Sequence, residues 1–80
     1  MSRALSEVPR GETVRLAGVD ADRGTVHRLA EMGLTPGVAL TVLQTSKGPV
    51  LVAVRGARVA VGRKMATTMR VVSNGTGAGA

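Results

Sequence analysis

Apolar and polar residues alternate in short runs along this chain, which is the signature of half-buried strands. Val14 and Leu16 alternate with Thr13, Arg15 and Ala17, predicting a first strand over Thr13–Val19. Val38, Leu40 and Val42 share one face of a second, Val38–Thr45, with Ala39, Thr41 and Leu43 on the other. Val50, Val52 and Val54 alternate with Leu51 and Ala53 in a third, Val50–Val54. Val59 and Val61 oppose Arg58 and Ala60 in a fourth, Ala57–Val61, and Met69 and Val71 oppose Arg70 and Val72 in a fifth, Thr67–Val72. The joints between them are short. Ser46-Lys47-Gly48-Pro49 is a turn by composition, Arg55-Gly56 suits a two-residue hairpin, and Gly62–Ala66 has room for one turn of 3₁₀ helix. Gly18 marks a bulge or a close backbone approach in the first strand. Leu5 and Val8 form one apolar helical turn ahead of Pro9, and Arg10-Gly11-Glu12 is a turn.

One stretch changes period. Val26, Leu29 and Ala30 fall at helical spacing, which predicts a helix from about Arg23 to Met32 with Asp22 as its N-cap. Gly33 fits the left-handed C′ position, and Leu34 then follows as C″, packing on Leu29 in a Schellman ending. Thr35-Pro36-Gly37-Val38 reads as a type II turn, with proline fixing φ and glycine supplying the positive φ that follows. The helix is thus handed straight to a strand. Short strands with tight turns and a single helical plug predict a small closed barrel, which would also protect these valine-rich edges.

Eighty residues form one domain, which buries only about 60% of its unfolded surface. The barrel is expected to occupy residues 1–72, and 73–80, glycine-rich and without periodicity, to form a disordered tail. Cysteine is absent, so neither disulfides nor thiolate metal sites are available. No apolar run approaches the ~18 residues of a membrane span, and Arg3, Glu7, Arg10 and Glu12 interrupt any signal sequence. The expected location is cytoplasmic. The chain also lacks aromatic residues, which disfavours proline-rich peptide grooves and base-stacking platforms. Its net charge of +6 favours an anionic partner, although charge of this size also serves solubility.

No catalytic constellation is present. His27 and Glu31 share a helix face, but two ligands make a weak metal site, and Asp20 and Asp22 are accounted for by turn and cap. Neither a phosphate-binding loop nor a dinucleotide fingerprint occurs. The chain therefore reads as a non-enzyme without cofactor. Two surface candidates remain. One is basic: Arg55, Arg58, Arg63, Lys64 and Arg70, with Lys47 on a turn. The other is apolar, because Leu43, Leu51 and Ala53 oppose the presumed core face, and an uncovered apolar face marks a protein-binding site unless the helix packs there.

Arg28-Leu29, Met32-Gly33-Leu34 and Pro36-Gly37, followed by Gly48-Pro49, Val52–Gly56 and Val59-Ala60-Val61, resemble the FeoA family of bacterial ferrous iron transport. Leu5–Val8 with Gly11, and Ala66 with Met69–Val71, extend the resemblance over residues 4–72. It departs at Val61, where the pattern more often has leucine. The resemblance implies an SH3-like five-stranded barrel with one short inserted helix. It implies a small accessory protein that binds and modulates FeoB, a membrane transporter, through that protein's cytoplasmic GTP-binding domain or its membrane portion. The same fold ends metal-dependent repressors of the DtxR kind. A chain that starts at Met1 without a DNA-reading domain is expected to be the stand-alone form. A basic nucleic-acid-binding or metal-regulator module is the alternative, and a homo-oligomer is open. The expected partner contacts are Met32, Leu34, Leu43 and Leu51, rimmed by Arg55 and Arg58.

Overall fold

In the computed structural model, which describes residues 2–74, one antiparallel sheet curls around a single apolar core. Its strands are β1 (Arg3–Ala4), β2 (Thr13–Val19), β3 (Ala39–Gln44), β4 (Val50–Val54), β5 (Ala57–Val61) and β6 (Met69–Ser73). Helix α1 (Arg23–Glu31) joins β2 to β3, and the short α2 (Arg63–Ala66) joins β5 to β6. The spatial order is β1-β6-β2-β3-β4-β5. Among the described residues no ladder joins β1 to β5, so the two ends of the sheet remain edges rather than closing on each other.

Each alternation places its apolar set inside. Val14, Leu16, Leu40, Val42, Val50, Val52 and Val71 are at most 1% exposed. Leu5 and Val8 flank a 3₁₀ turn (Leu5–Glu7) and are also buried. The two-residue β1 preceding that turn is too short to have a hydrophobic period, and its partner is β6, far along the chain. Pairing of β2 with β6 shifts between Leu16 and Gly18, so the expected irregularity at Gly18 is a bulge. A second bulge lies in β3, where Val42 faces Val52 but Gln44 faces Leu51.

The hand-over from α1 to β3 has the expected geometry. Thr25 N–H donates to Asp22 Oδ1 at 2.7 Å, capping the helix. At the other end Gly33 N–H donates to the Ala30 carbonyl and Leu34 N–H to that of Leu29, both at 3.0 Å, which is the Schellman pair. Gly33 sits at φ +88° and Gly37 at φ +95°, and Val38 N–H closes the second turn on the Thr35 carbonyl at 3.1 Å. Strand β2 then holds this turn: Gly37 N–H donates to the Leu16 carbonyl, and the Arg15 guanidinium to the Gly37 carbonyl, both at 2.7 Å.

Three expectations need revision. The segment after β5 is a turn of α helix, not 3₁₀, because Ala66 N–H reaches the Gly62 carbonyl and Thr67 N–H that of Arg63. Thr67 and Thr68 belong to its ending, where their hydroxyls donate to the Lys64 and Met65 carbonyls, so β6 begins at Met69. Ser73 lies in β6, and Asn74 accepts from Arg15 at 3.0 Å, so the ordered chain runs past residue 72. The rest of the expected tail, 75–80, lies outside the described residues.

Three variants test this account. Gly33→Ala, which forces a Cβ into left-handed backbone, should cost about 1–2 kcal/mol in urea denaturation followed by far-UV circular dichroism. Gly24→Ala should instead stabilise by about 0.5–1 kcal/mol, since Gly24 lies within α1 and a Cβ there meets only Asp22 Oδ1 at 3.8 Å. The Asp22 carboxyl is held below its usual range, chiefly by the Thr25 N–H. The folded chain therefore binds fewer protons there than the unfolded one. This stabilisation is complete above the ordinary aspartate value and is lost as pH falls through the lower folded value. The stability difference between the native chain and Asp22→Ala should accordingly shrink on acidification, as urea midpoints at neutral and acid pH would show.

Candidate protein-interaction groove

The Schellman ending decides which side chains near the helix C-terminus face water. Reversal at Gly33 turns Leu34 inward and leaves Met32, the C-cap, outside. Met32 is 44% exposed, the one exposed large hydrophobic side chain among the described residues. It lies on a groove of about 180 Å³ between α1 and the end of β5. Leu29, Ala60, Val61 and Met65 make its apolar lining, and Thr25 and Arg28 stand on the helix side. Ala60 is also the ladder partner of Leu51, so the groove adjoins the sheet face that carries Leu51.

The expected contact residues divide. Met32 is on the surface as expected. Leu34, by contrast, is 2% exposed and part of the core, so it is removed from the contact set. Its position at C″ is what buries it. Leu43 and Leu51 are half-buried neighbours at the β3 bulge, on the face opposite the core. Arg55 and Arg58 are exposed, and Arg58 faces Ala53 across the ladder. Arg55 occupies left-handed backbone (φ 52°) beside Gly56 (φ 79°), so both residues of the hairpin loop take the positive φ of a type I′ turn.

The basic residues are not one field. Arg63 donates to the carbonyls of Thr45, at 2.6 Å, Ser46, and Gly48, at 3.1 Å, and so braces the β3–β4 loop. Arg70 pairs with Asp20 at 3.2 Å, and Arg3 in β1 with Glu12 just before β2, a bond that raises the Arg3 pKa. Arg28 and Lys64 are exposed and lie in no salt bridge among the described residues, although Arg28 is close enough to Asp22 to help lower its carboxyl pKa. The Arg63 brace is absent from sequence periodicity, since its acceptors are backbone carbonyls of a loop. The place of Met65 was more accessible. In a single helical turn adjacent side chains diverge by about 100°, so burying Ala66 sends Met65 to the side.

No polar or charged side chain is buried among the described residues, and no group of three metal-ligating side chains converges. His27 Nε2 lies 3.3 Å from Glu31, with both side chains mostly exposed. An apolar groove with an exposed arginine, Arg28, on its helix side suits contact with another protein.

Fold and groove together define a small SH3-like β domain with an inserted helix. Residues 3–73 match the FeoA domain model, and the chain belongs to the FeoA family. It is 34% identical over 67 residues to a Methanocaldococcus jannaschii protein named as Fe(2+) transport protein A, covering 84% of this chain and 82% of that one. A crystal structure of an iron uptake regulatory protein, FeoA, superposes with a TM-score of 0.80 at 32% identity, covering 89% of this chain and 94% of the other. The FeoA solution structure from Chlorobium tepidum gives 0.82 at 27% identity, over 89% and 70% of the two chains. A manganese-bound, manganese-dependent transcriptional repressor gives 0.83 at 32% identity, over 90% of this chain but only 36% of the repressor.

Leu34→Ala should destabilise the fold by about 2–5 kcal/mol, as an excavated core does. Met32→Ala should cost less than about 1 kcal/mol in the same urea titration. Equal losses would contradict the division between core and groove.

Proposed function

We propose that this chain is an accessory protein of ferrous iron uptake that binds the cytoplasmic part of the FeoB transporter. The supporting observation is Met32, a large apolar side chain held in water at the mouth of an apolar groove. Solvating such a group is unfavourable, and covering it with a partner recovers that free energy. Arg28, exposed on the helix side of the groove, would give the contact an electrostatic rim. Leu51, reached through Ala60, and Arg58 extend the same surface, with Leu43 and Arg55 at its margin. On this reading the domain works in the cytoplasm, beside the membrane only through its partner. Among the described residues no helix is long and apolar enough to cross a bilayer.

The likeness to a manganese-dependent repressor favours a second reading, a regulator-type module. Within that reading nucleic acid is the weaker partner, because Arg63 and Arg70 are engaged within the chain and stacking side chains are absent.

Titrating the ¹⁵N-labelled chain with the FeoB GTP-binding domain should shift resonances of α1, Gly33 and Ala60–Met65. Met32→Lys should weaken this complex about tenfold or more. A DNA duplex should produce no such shifts at moderate salt. Duplex binding whose affinity falls steeply with salt would instead favour the nucleic-acid reading.

A further inference from the structure

Strand β5 is one end of the sheet, and only β4 pairs with it. The two-residue loop Arg55-Gly56 makes Val54 and Ala57 a hydrogen-bonded pair. In an antiparallel ladder, bonded and non-bonded pairs then alternate. Ala57, Val59 and Val61 thus bond to β4, while Arg58 and Ala60 turn their N–H and C=O groups away from it. No group among the described residues bonds to these outward positions. The strand is short and carries an arginine, as protected edges do, yet its last outward residue, Ala60, opens directly onto the groove. Backbone donors and acceptors, an apolar pocket and exposed cations therefore lie side by side.

The geometry points to β5 as the acceptor for an extended, acidic segment of a partner protein, which adds as a further strand and seats an apolar side chain in the Met32 groove. Strand addition supplies main-chain hydrogen bonds from Arg58 and Ala60, and the groove selects the side chain. The charge specifies the occupant. Arg55 and Arg58 are exposed at the hairpin and along the edge, the exposed Arg28 lines the groove, and no carboxylate lines it. A second copy of this chain would bring another net charge of +6, with Arg58 again on the incoming edge. An acidic strand is complementary instead. This inference rests on the reading of the groove as the partner's seat, and adds how the partner is held.

Hydrogen exchange on the full ¹⁵N-labelled chain tests it with two additions made separately. The first is a short blocked peptide alternating valine and glutamate, with its valine–lysine counterpart as control. The second is the FeoB GTP-binding domain. In the free chain the Arg58 and Ala60 amides should exchange fast. The acidic peptide should slow them and shift Met32, and the lysine peptide should do neither. Ala60→Pro removes an outward-facing donor and adds a ring beside the groove, a change tolerated on an edge, and should weaken acidic-peptide binding about tenfold while the β4–β5 amides stay protected. Peptide binding without protection of Arg58 and Ala60, no binding, or protection already present in a self-associated free chain overturns the proposal. If the FeoB domain binds at the groove but leaves both amides fast, strand addition is wrong and the partner assignment stands. If the peptide protects them while the FeoB domain does not bind, strand addition stands and the partner is another acidic protein.

Discussion

The architecture depends on reversing the chain twice between α1 and β3 without a Cβ in the way. Gly33 and Gly37 both hold left-handed backbone, and between them lie only Leu34, Thr35 and Pro36. That brevity puts Leu34 and Val38 into the same core as Leu29. It also brings the turn against β2, whose Leu16 both donates to Val38 and accepts from Gly37. Helix and strand are therefore fixed relative to each other by backbone hydrogen bonds, with side-chain packing following. The exposure of Met32 is a by-product of the same constraint, because the residue preceding the reversal cannot also face inward.

A surface follows from this placement. The C-terminal turn of α1 stands beside the end of β5, and α2 supplies the floor through Met65. Arg63, the first residue of α2, reaches back to the β3–β4 loop and ties the connection after β5 to the one before β4. The groove is thereby built on braced elements. Elsewhere the arginines serve the fold: Arg15 and Arg3 join segments distant in sequence, and Arg70 answers Asp20.

Local rules made most of the fold legible. Alternation located Thr13–Val19, Val50–Val54 and Ala57–Val61 to the residue, because each strand has one wet face and one dry one. The α1 ending was legible because Gly33 and Gly37 have few other uses at that spacing. Non-local features were not legible. The strand Arg3–Ala4 exists only because β6 is there to pair with it, and the β3 bulge arises from its fit to β4. The lining of the groove was half legible for the same reason. Met32 follows from cap geometry. Leu34 should have been excluded by that very geometry, since the C″ side chain packs back on the helix. Ala60, Arg28 and Met65 come together through the tertiary path alone.

Among the described residues, nine of the sixteen buried hydrophobic ones are valine, and none is aromatic. A β-branched side chain in a sheet has little rotational freedom to lose. Ordering this interior is correspondingly inexpensive in entropy, which helps a chain too small for a large apolar core. The arrangement also spreads cohesion over many small, stiff units rather than a few bulky ones. Much of the interior resembles masonry of small stones, in which the shape is kept by the courses of backbone between them.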